Sequence, residues 1–171
     1  MKVVYCLVLL VLIFPGCLRV SGPGTLFAPQ PVGDNYAVLY IVRENKLVGS
    51  GMAADIFVNT KPVGTLVGKS YLALYLRPGG YRIRASIGDL DTLDQFPEAS
   101  LWYHVKAGKE YYLEYEMDRG AAYFVGGMSY GGWSAKFIPI DDPSEIDGLK
   151  SLKLNNADPE IGLTISSKSM W

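Results

Sequence analysis

The chain has 171 residues, with 16 Lys and Arg against 17 Asp and Glu, a formal net charge of −1, and a single histidine. No block of like charge and no basic patch occurs in it, so nucleic-acid binding lacks its usual electrostatic footprint. Twelve Tyr, three Trp and nineteen Gly, with few long polar runs, point away from a helical protein and toward strands and turns.

At the N-terminus, Lys2 and a nearly unbroken apolar run from Val3 to Phe14 precede Pro15, Gly16 and Cys17. A positive start, an apolar run of secretory length and a small residue before a cut mark residues 1–16 as a signal peptide. A transmembrane helix needs about 20 apolar residues, and this run stops at Pro15-Gly16, ahead of Arg19. Phe14-Pro15-Gly16-Cys17 resembles the bacterial lipobox, in which a large apolar residue, a small or apolar one and Gly or Ala stand before a cysteine that is cut and acylated. The resemblance implies lipid on Cys17 and a membrane held through it. Leu18, where inner-membrane retention in enterobacteria uses Asp, implies the outer membrane, with the domain facing the periplasm. An ordinary cleaved signal and an uncleaved anchor are competing readings of the same run, and all three place the domain outside the cytoplasm. Cys6 leaves with the signal, so Cys17 is the only thiol of the mature chain and no intramolecular disulfide is available. A single acyl chain, at about 0.8 kcal/mol per buried CH₂, binds reversibly, whereas two or three hold effectively permanently.

Residues 17–35 contain Gly22, Pro23, Gly24, Pro29, Pro31 and Gly33 without amphipathic period, the composition of a tether. From Tyr36 to Ile140 the chain reads as about eight short strands. Tyr36 to Arg43 is apolar at nearly every position, which suits a central strand buried on both faces. Ala53 to Val58 and Val63 to Val67 follow, with Pro62 marking a break or an edge. Ser70 to Leu76 alternates, Tyr71, Ala73 and Tyr75 on one face and Leu72, Leu74 and Leu76 on the other. Pro78-Gly79-Gly80 turns into Tyr81 to Ile87, where Tyr81, Ile83 and Ala85 alternate with Arg82, Arg84 and Ser86, the period of a half-exposed strand. Ser100 to Val105 and Glu110 to Met117 flank a hairpin through Lys106-Ala107-Gly108-Lys109, and Ser134 to Ile140 closes the set. The fold class expected is mainly β, an antiparallel β-sandwich of residues 36–154.

One short C-terminal helix is expected near residues 142–152. Asp141 or Asp142 can cap it, Pro143 suits its first position, and Ile146, Leu149 and Leu152 form its apolar stripe. Gly148 weakens its middle by about 1 kcal/mol relative to Ala. Residues 155–171 read as a polar tail with an edge segment around Leu163 to Ile165.

The runs Tyr36-Ala-Val-Leu-Tyr-Ile-Val-Arg43, Asp55-Ile-Phe-Val-Asn-Thr-Lys-Pro-Val-Gly64, Tyr71-Leu-Ala-Leu-Tyr-Leu-Arg-Pro-Gly79, Tyr81-Arg-Ile-Arg-Ala85 and Val105-Lys-Ala-Gly-Lys-Glu-Tyr-Tyr112 are similar to a bacterial lipoprotein-associated domain of unknown function. Their turn order also resembles PEGA-type, carboxypeptidase-regulatory-like surface modules. The resemblance covers roughly residues 36–154 and implies a small envelope β domain with no catalytic residues to transfer. The stretches Asp89 to Ala99 and around Gly126 look like insertions in that pattern.

Reactive constellations are sparse. His104 alternates with exposed-type neighbours and reads as a solvent-facing strand residue; with no second thiol or imidazole it makes neither a zinc set nor a Cys–His pair. Asp89, Asp91, Asp94 and Glu98 offer hard oxygen ligands of the kind Ca²⁺ takes, but not at EF-hand spacing, and a solvated loop is the simpler account; no metal and no cofactor is expected. Gly126-Gly-Met-Ser-Tyr-Gly-Gly-Trp133 lacks a phosphate-loop ending. It reads as a hairpin connection or as a recognition loop presenting Tyr130 and Trp133. The expected role is non-catalytic, a lipid-anchored structural or protein-interaction module with an envelope partner. The second expectation is a ligand-binding lipoprotein recognising glycan, peptidoglycan or lipid through that loop.

Overall fold

Ala37–Arg43 (β1) is buried along its whole length, and a strand of this kind needs cover on both faces. The computed structural model, which describes residues 24–46, 49, 51–87, 98–125, 128–155 and 159–165, meets that need with two sheets and a third, irregular layer. The other strands are β2 (Ala54–Val58), β3 (Lys61–Leu66), β4 (Ser70–Leu76), β5 (Gly79–Ser86), β6 (Ala99–Val105), β7 (Glu110–Val125), β8 (Met128–Ile140) and β9 (Lys153–Leu154). One sheet has the order β8-β7-β1-β4-β9 and the other β3-β2-β5-β6. Pro62 sits in β3, an edge strand, where its missing N–H costs no ladder bond.

The alternation in β4 and β5 decides which side chains meet between the sheets. Leu72, Leu74 and Leu76 of β4 join Leu39 and Ile41 of β1 against Ile56, Tyr81 and Ile83 of the second sheet. The opposite face of β1 and β4 carries Val38, Tyr40, Val42, Tyr71 and Ala73, with Tyr112 from β7 beside them. That outer face is covered by two chain segments. The first is a strap over residues 24–31: Leu26 bridges Lys153, and the Phe27 ring packs 5.3 Å from Tyr40 and 5.1 Å from Tyr71. The second brings in Ile146, Leu149, Leu152 and Leu154. From Gly24 onward, then, the segment read as tether is part of the fold.

Four further features differ from the sequence reading. The sheet is mixed, since β7 runs parallel to β1 and β9 parallel to β4. The turn Lys106 to Lys109 does not close a hairpin; β6 pairs with β5 in one sheet, and β7 pairs with β1 in the other. The crossover that a parallel pair requires is supplied by the strands of the second sheet, and the turn is fixed by Gly108 N–H donating to Tyr36 O and Val38 N–H to Lys109 O, both at 3.0 Å. In place of one C-terminal helix there are two single 3-10 turns, Pro143–Glu145 and Leu149–Ser151. Asp142 caps the first as expected, accepting from Ser144 N–H at 2.8 Å, but Gly148 takes a left-handed φ of 65° and separates the two. Ile146 and Leu152 still bury, so the apolar stripe is used without a helix. Finally, Pro159–Thr164 forms a 3-10 segment instead of an edge strand, and Ile165 buries in the inter-sheet core.

Candidate functional site

The part of the molecule that the sandwich does not explain is the far half of β7 and β8. β7 pairs with β1 from Val38↔Glu110 to Val42↔Glu114 and then runs on to Val125 with β8 as its only partner. Tyr115 and Met117 remain buried at its root. Beyond Asp118 the two strands form an arm of roughly 25 Å, at about 3.4 Å per residue. Gly126 to Trp133, read from its glycines as a connection, is strand from Met128 onward. Tyr123, Phe124, Val125, Tyr130 and Trp133 are strand formers, and cross-strand pairing carries Gly131 and Gly132 along.

Register assigns the two faces of the arm. Tyr123↔Tyr130 and Val125↔Met128 are directly opposed pairs on one face, and Ala122↔Gly131 and Phe124↔Ser129 lie on the other. The register shifts between Arg119 and Ala122, where Gly120 and Ala121 stand against Gly132. Such a bulge bends and twists a ribbon locally. Just below it Arg119 pairs with Trp133, and its guanidinium lies 5.9 Å from the indole centroid, a cation–π contact.

Charge is concentrated at the root. Lys46 Nζ donates to Glu114 at 2.8 Å and to Glu116 at 2.7 Å, and Lys136 Nζ donates to Glu116 at 2.9 Å. The two lysines hold the Glu116 carboxyl below its ordinary 4.5. Burial alone would lower the Lys46 ammonium, but its bonds to Glu114 and Glu116 outweigh this and raise it. A carboxylate with a depressed folded pKa contributes stability above its unfolded value and loses it as pH falls through the folded one; a lysine with a raised pKa loses its contribution at the alkaline end. These groups are partly solvated, so the network is worth about 0.5–1 kcal/mol. Glu116→Gln should remove that part of the acid sensitivity of the melting temperature below pH 4.5; an unchanged acid profile would show that the network does not contribute.

Beside the root, Arg43 is 4% exposed. Its Nη1 donates to Met52 O at 2.6 Å and Leu66 O at 3.2 Å, its Nη2 to Gly49 O at 2.6 Å, and its guanidinium stands 5.3 Å from the Tyr115 ring centroid. Desolvation lowers its pKa, against a smaller rise from Tyr115. Among the described residues no carboxylate forms an ion pair with it. Arg43 thus pins the β1–β2 connection onto the strand that carries the arm. The Tyr115 hydroxyl is buried with no hydrogen-bond partner among the described residues.

The other sequence candidates fall elsewhere. Cys17, Asp89, Asp91 and Asp94 lie outside the described residues. His104 is exposed on β6 opposite Gly80, in the other sheet from the arm. Among the described residues no group of three His, Cys, Asp or Glu could hold a metal. An open recess of about 560 Å³ at the opposite end is lined by Asp34, Asn35, Tyr36, Arg77, Ala107 and Leu163, among others. Sequence reasoning named Tyr130 and Trp133 but missed Arg119 and the length of the arm. The available signal was Gly126-Gly127 flanked by apolar, β-forming residues, which is hairpin grammar.

Fold and arm together define a two-sheet β-sandwich with a projecting β-ribbon. Residues 33–128 match the family described as protein of unknown function DUF2846, and the chain belongs to that family. The match runs from the turn before β1 to the start of β8 and so includes the outgoing strand of the arm. No curated protein and no solved structure matches the chain.

Proposed function

We propose that this protein is a non-catalytic, lipid-anchored module of the bacterial cell envelope, held to the outer membrane by acyl chains on Cys17 and facing the periplasm. Its interaction element is the β7–β8 arm. The carrying observation is that arm: a self-paired ribbon that leaves the sandwich after Asp118 and has no charged residue from Gly120 to Ala135. A strand pair that, among the described residues, pairs with no other strand beyond Glu114 and carries no charge from Gly120 to Ala135 has open edges, which supports contact with something else. The anchor is supported by the Gly16-Cys17 junction after an apolar run of secretory length. Stacking of a glycan on Trp133 has less support, because that ring is already engaged by Arg119.

Intact mass of the membrane-extracted chain tests the anchor. The expected species begins at Cys17 and is heavier by acyl groups, and Cys17→Ser abolishes it. An unmodified mass with a free thiol would remove the anchor from the proposal.

A further inference from the structure

We infer that β6 is a docking edge for a second copy of this chain, so that the β3-β2-β5-β6 sheets of two molecules continue into one another through a symmetric β6–β6 pair. The site is separate from the arm and from the anchor. Unequal protection of the sandwich's own edges is the first ground. At the other margin of the same sheet, β3 carries Pro62 and a register shift against β2. Lys61 Nζ of β3 donates to Thr164 O at 3.2 Å, and the Asn155 side-chain amide donates to Thr65 O. In the first sheet the strap is bonded along β9 through Thr25 and Phe27, and β8 bears Lys136 and Pro139 near its root. Proline, lysine, bulges and covering segments are the devices that stop an edge from recruiting another strand. Ala99–Val105 has none of them. It is seven residues without proline, lysine or a register shift, and among the described residues it pairs only with β5. Such an edge takes an added strand through its outward N–H and C=O groups.

The pattern of β6 identifies the occupant. On its inner face Ala99 and Val105 are buried, whereas Leu101 and Tyr103 are half-buried at the margin of the inter-sheet core. On its outer face Ser100, Trp102 and His104 are exposed, and Trp102, opposite Arg82 of β5, keeps 44% of its surface in water. Antiparallel pairing of β6 with itself about Trp102 sets Leu101 against Tyr103 of the second copy and Ala99 against Val105. The two half-buried residues then close each other's core margin. On the outer face Trp102 meets Trp102, Ser100 meets His104, and at the strand ends Glu98 meets Lys106. Glu98 and Lys106 are both exposed, and Glu98 is held beside Arg84 at 3.2 Å. Opposite charges directly across a strand pair are favourable and like charges unfavourable, and two-fold symmetry supplies this pair twice. Centring the pair on Leu101 would set Glu98 against His104, and centring it on Tyr103 would set Ser100 against Lys106. The Trp102 register alone of these matches the charges. An unrelated extended peptide would satisfy the same backbone groups, but the match of inner residues and end charges is a property of β6 against itself.

The test uses the full chain in a density-matched detergent. Sedimentation equilibrium of the wild type is expected to show a reversible monomer–dimer equilibrium. Trp102→Lys puts two like charges on the symmetry axis and is expected to weaken dimerisation at least about tenfold. Its circular dichroism should match the wild type, because the side chain is exposed. Register is read by disulfide formation under mild oxidation, with the bridged peptides mapped so that other thiols do not count. Trp102→Cys is expected to bridge to itself, and Ser100→Cys to bridge to His104→Cys in a mixed sample. Ser100→Cys alone should stay unbridged, because its two copies would lie about 14 Å apart along the strands, beyond disulfide reach. A wild type monomeric at every concentration overturns the inference. So does Trp102→Lys dimerising as the wild type does, or Ser100→Cys bridging to itself as readily as Trp102→Cys. A co-extracted peptide crosslinked at position 102 in place of a second copy overturns it as well.

Discussion

Replacing Arg43 by methionine lowers the stability of the fold by about 3 kcal/mol, seen as a reduced denaturant midpoint at unchanged slope. The guanidinium makes three bonds to backbone carbonyls, of Gly49, Met52 and Leu66, and charge-assisted bonds contribute about 1.5–3 kcal/mol each when one partner is deleted. The sum is not realised in full, because the buried cation has no carboxylate partner among the described residues and its desolvation cost is removed with it. Methionine also keeps part of the stem packing. Arg43→Lys is expected to recover little of the loss. An ammonium is a single point donor and cannot reach carbonyls in two directions as the fork of Arg43 does. Recovery by lysine to near wild type would show that charge and not fork geometry is what matters, and would sink this account of the β1–β2 connection.

Tyr40→Ala costs about 4 kcal/mol, in the range for emptying a fully buried aromatic site. Tyr40 is at the centre of the outer face, 4.9 Å from the Tyr112 ring in a stacked arrangement and 5.3 Å from Phe27. Its hydroxyl accepts from Gln30 N–H at 2.6 Å, so Tyr40→Phe should cost only about 1 kcal/mol, the value of one hydrogen bond. The difference between the two variants separates ring packing from the polar tie to the strap. A Phe variant as damaged as the Ala variant would mean that the strap, and not the ring, carries the stability. Burial pushes the Tyr40 hydroxyl up from 10.0 to about 12, against a smaller opposing effect of the Gln30 bond. A group with a raised folded pKa contributes fully below its unfolded value and loses that contribution as pH rises through the folded one. Alkaline unfolding should therefore set in between pH 10 and about 12, and Tyr40→Phe should delay it.

The strands whose two faces differ in chemistry were the legible part of this chain. Tyr71, Ala73 and Tyr75 against Leu72, Leu74 and Leu76 assigned β4 its faces correctly, and the all-apolar run through Ile41 placed β1 at the centre. What escaped were long-range choices. Val105 to Glu110 has the same local grammar whether it closes a hairpin or passes between sheets; the parallel partnership of Leu39 with Tyr111 decides it, and no nearby residue announces that pairing. Gly148 was weighed as a helix-weakening residue but acts as a divider, because a positive φ there ends one turn and starts another. Ile161 and Ile165 were too few in a polar stretch to read as core. At the arm, composition singled out Tyr130 and Trp133, whereas Arg119 could be found only from register.

The strap has a consequence for the order of folding. Leu26 and Phe27 are among the earliest residues of the sandwich to be synthesised, and their partners, Lys153 and Leu152, are among the last. Closing this layer joins segments separated by most of the chain, the slowest kind of contact to make. Until residue 152 is available, the face bearing Tyr40, Tyr71 and Tyr112 stands uncovered on an otherwise formed sheet. A nascent chain, or one cut before residue 146, would therefore display a tyrosine-rich, sticky surface, and the arrival of Ile146, Leu149, Leu152 and Leu154 is the step that hides it.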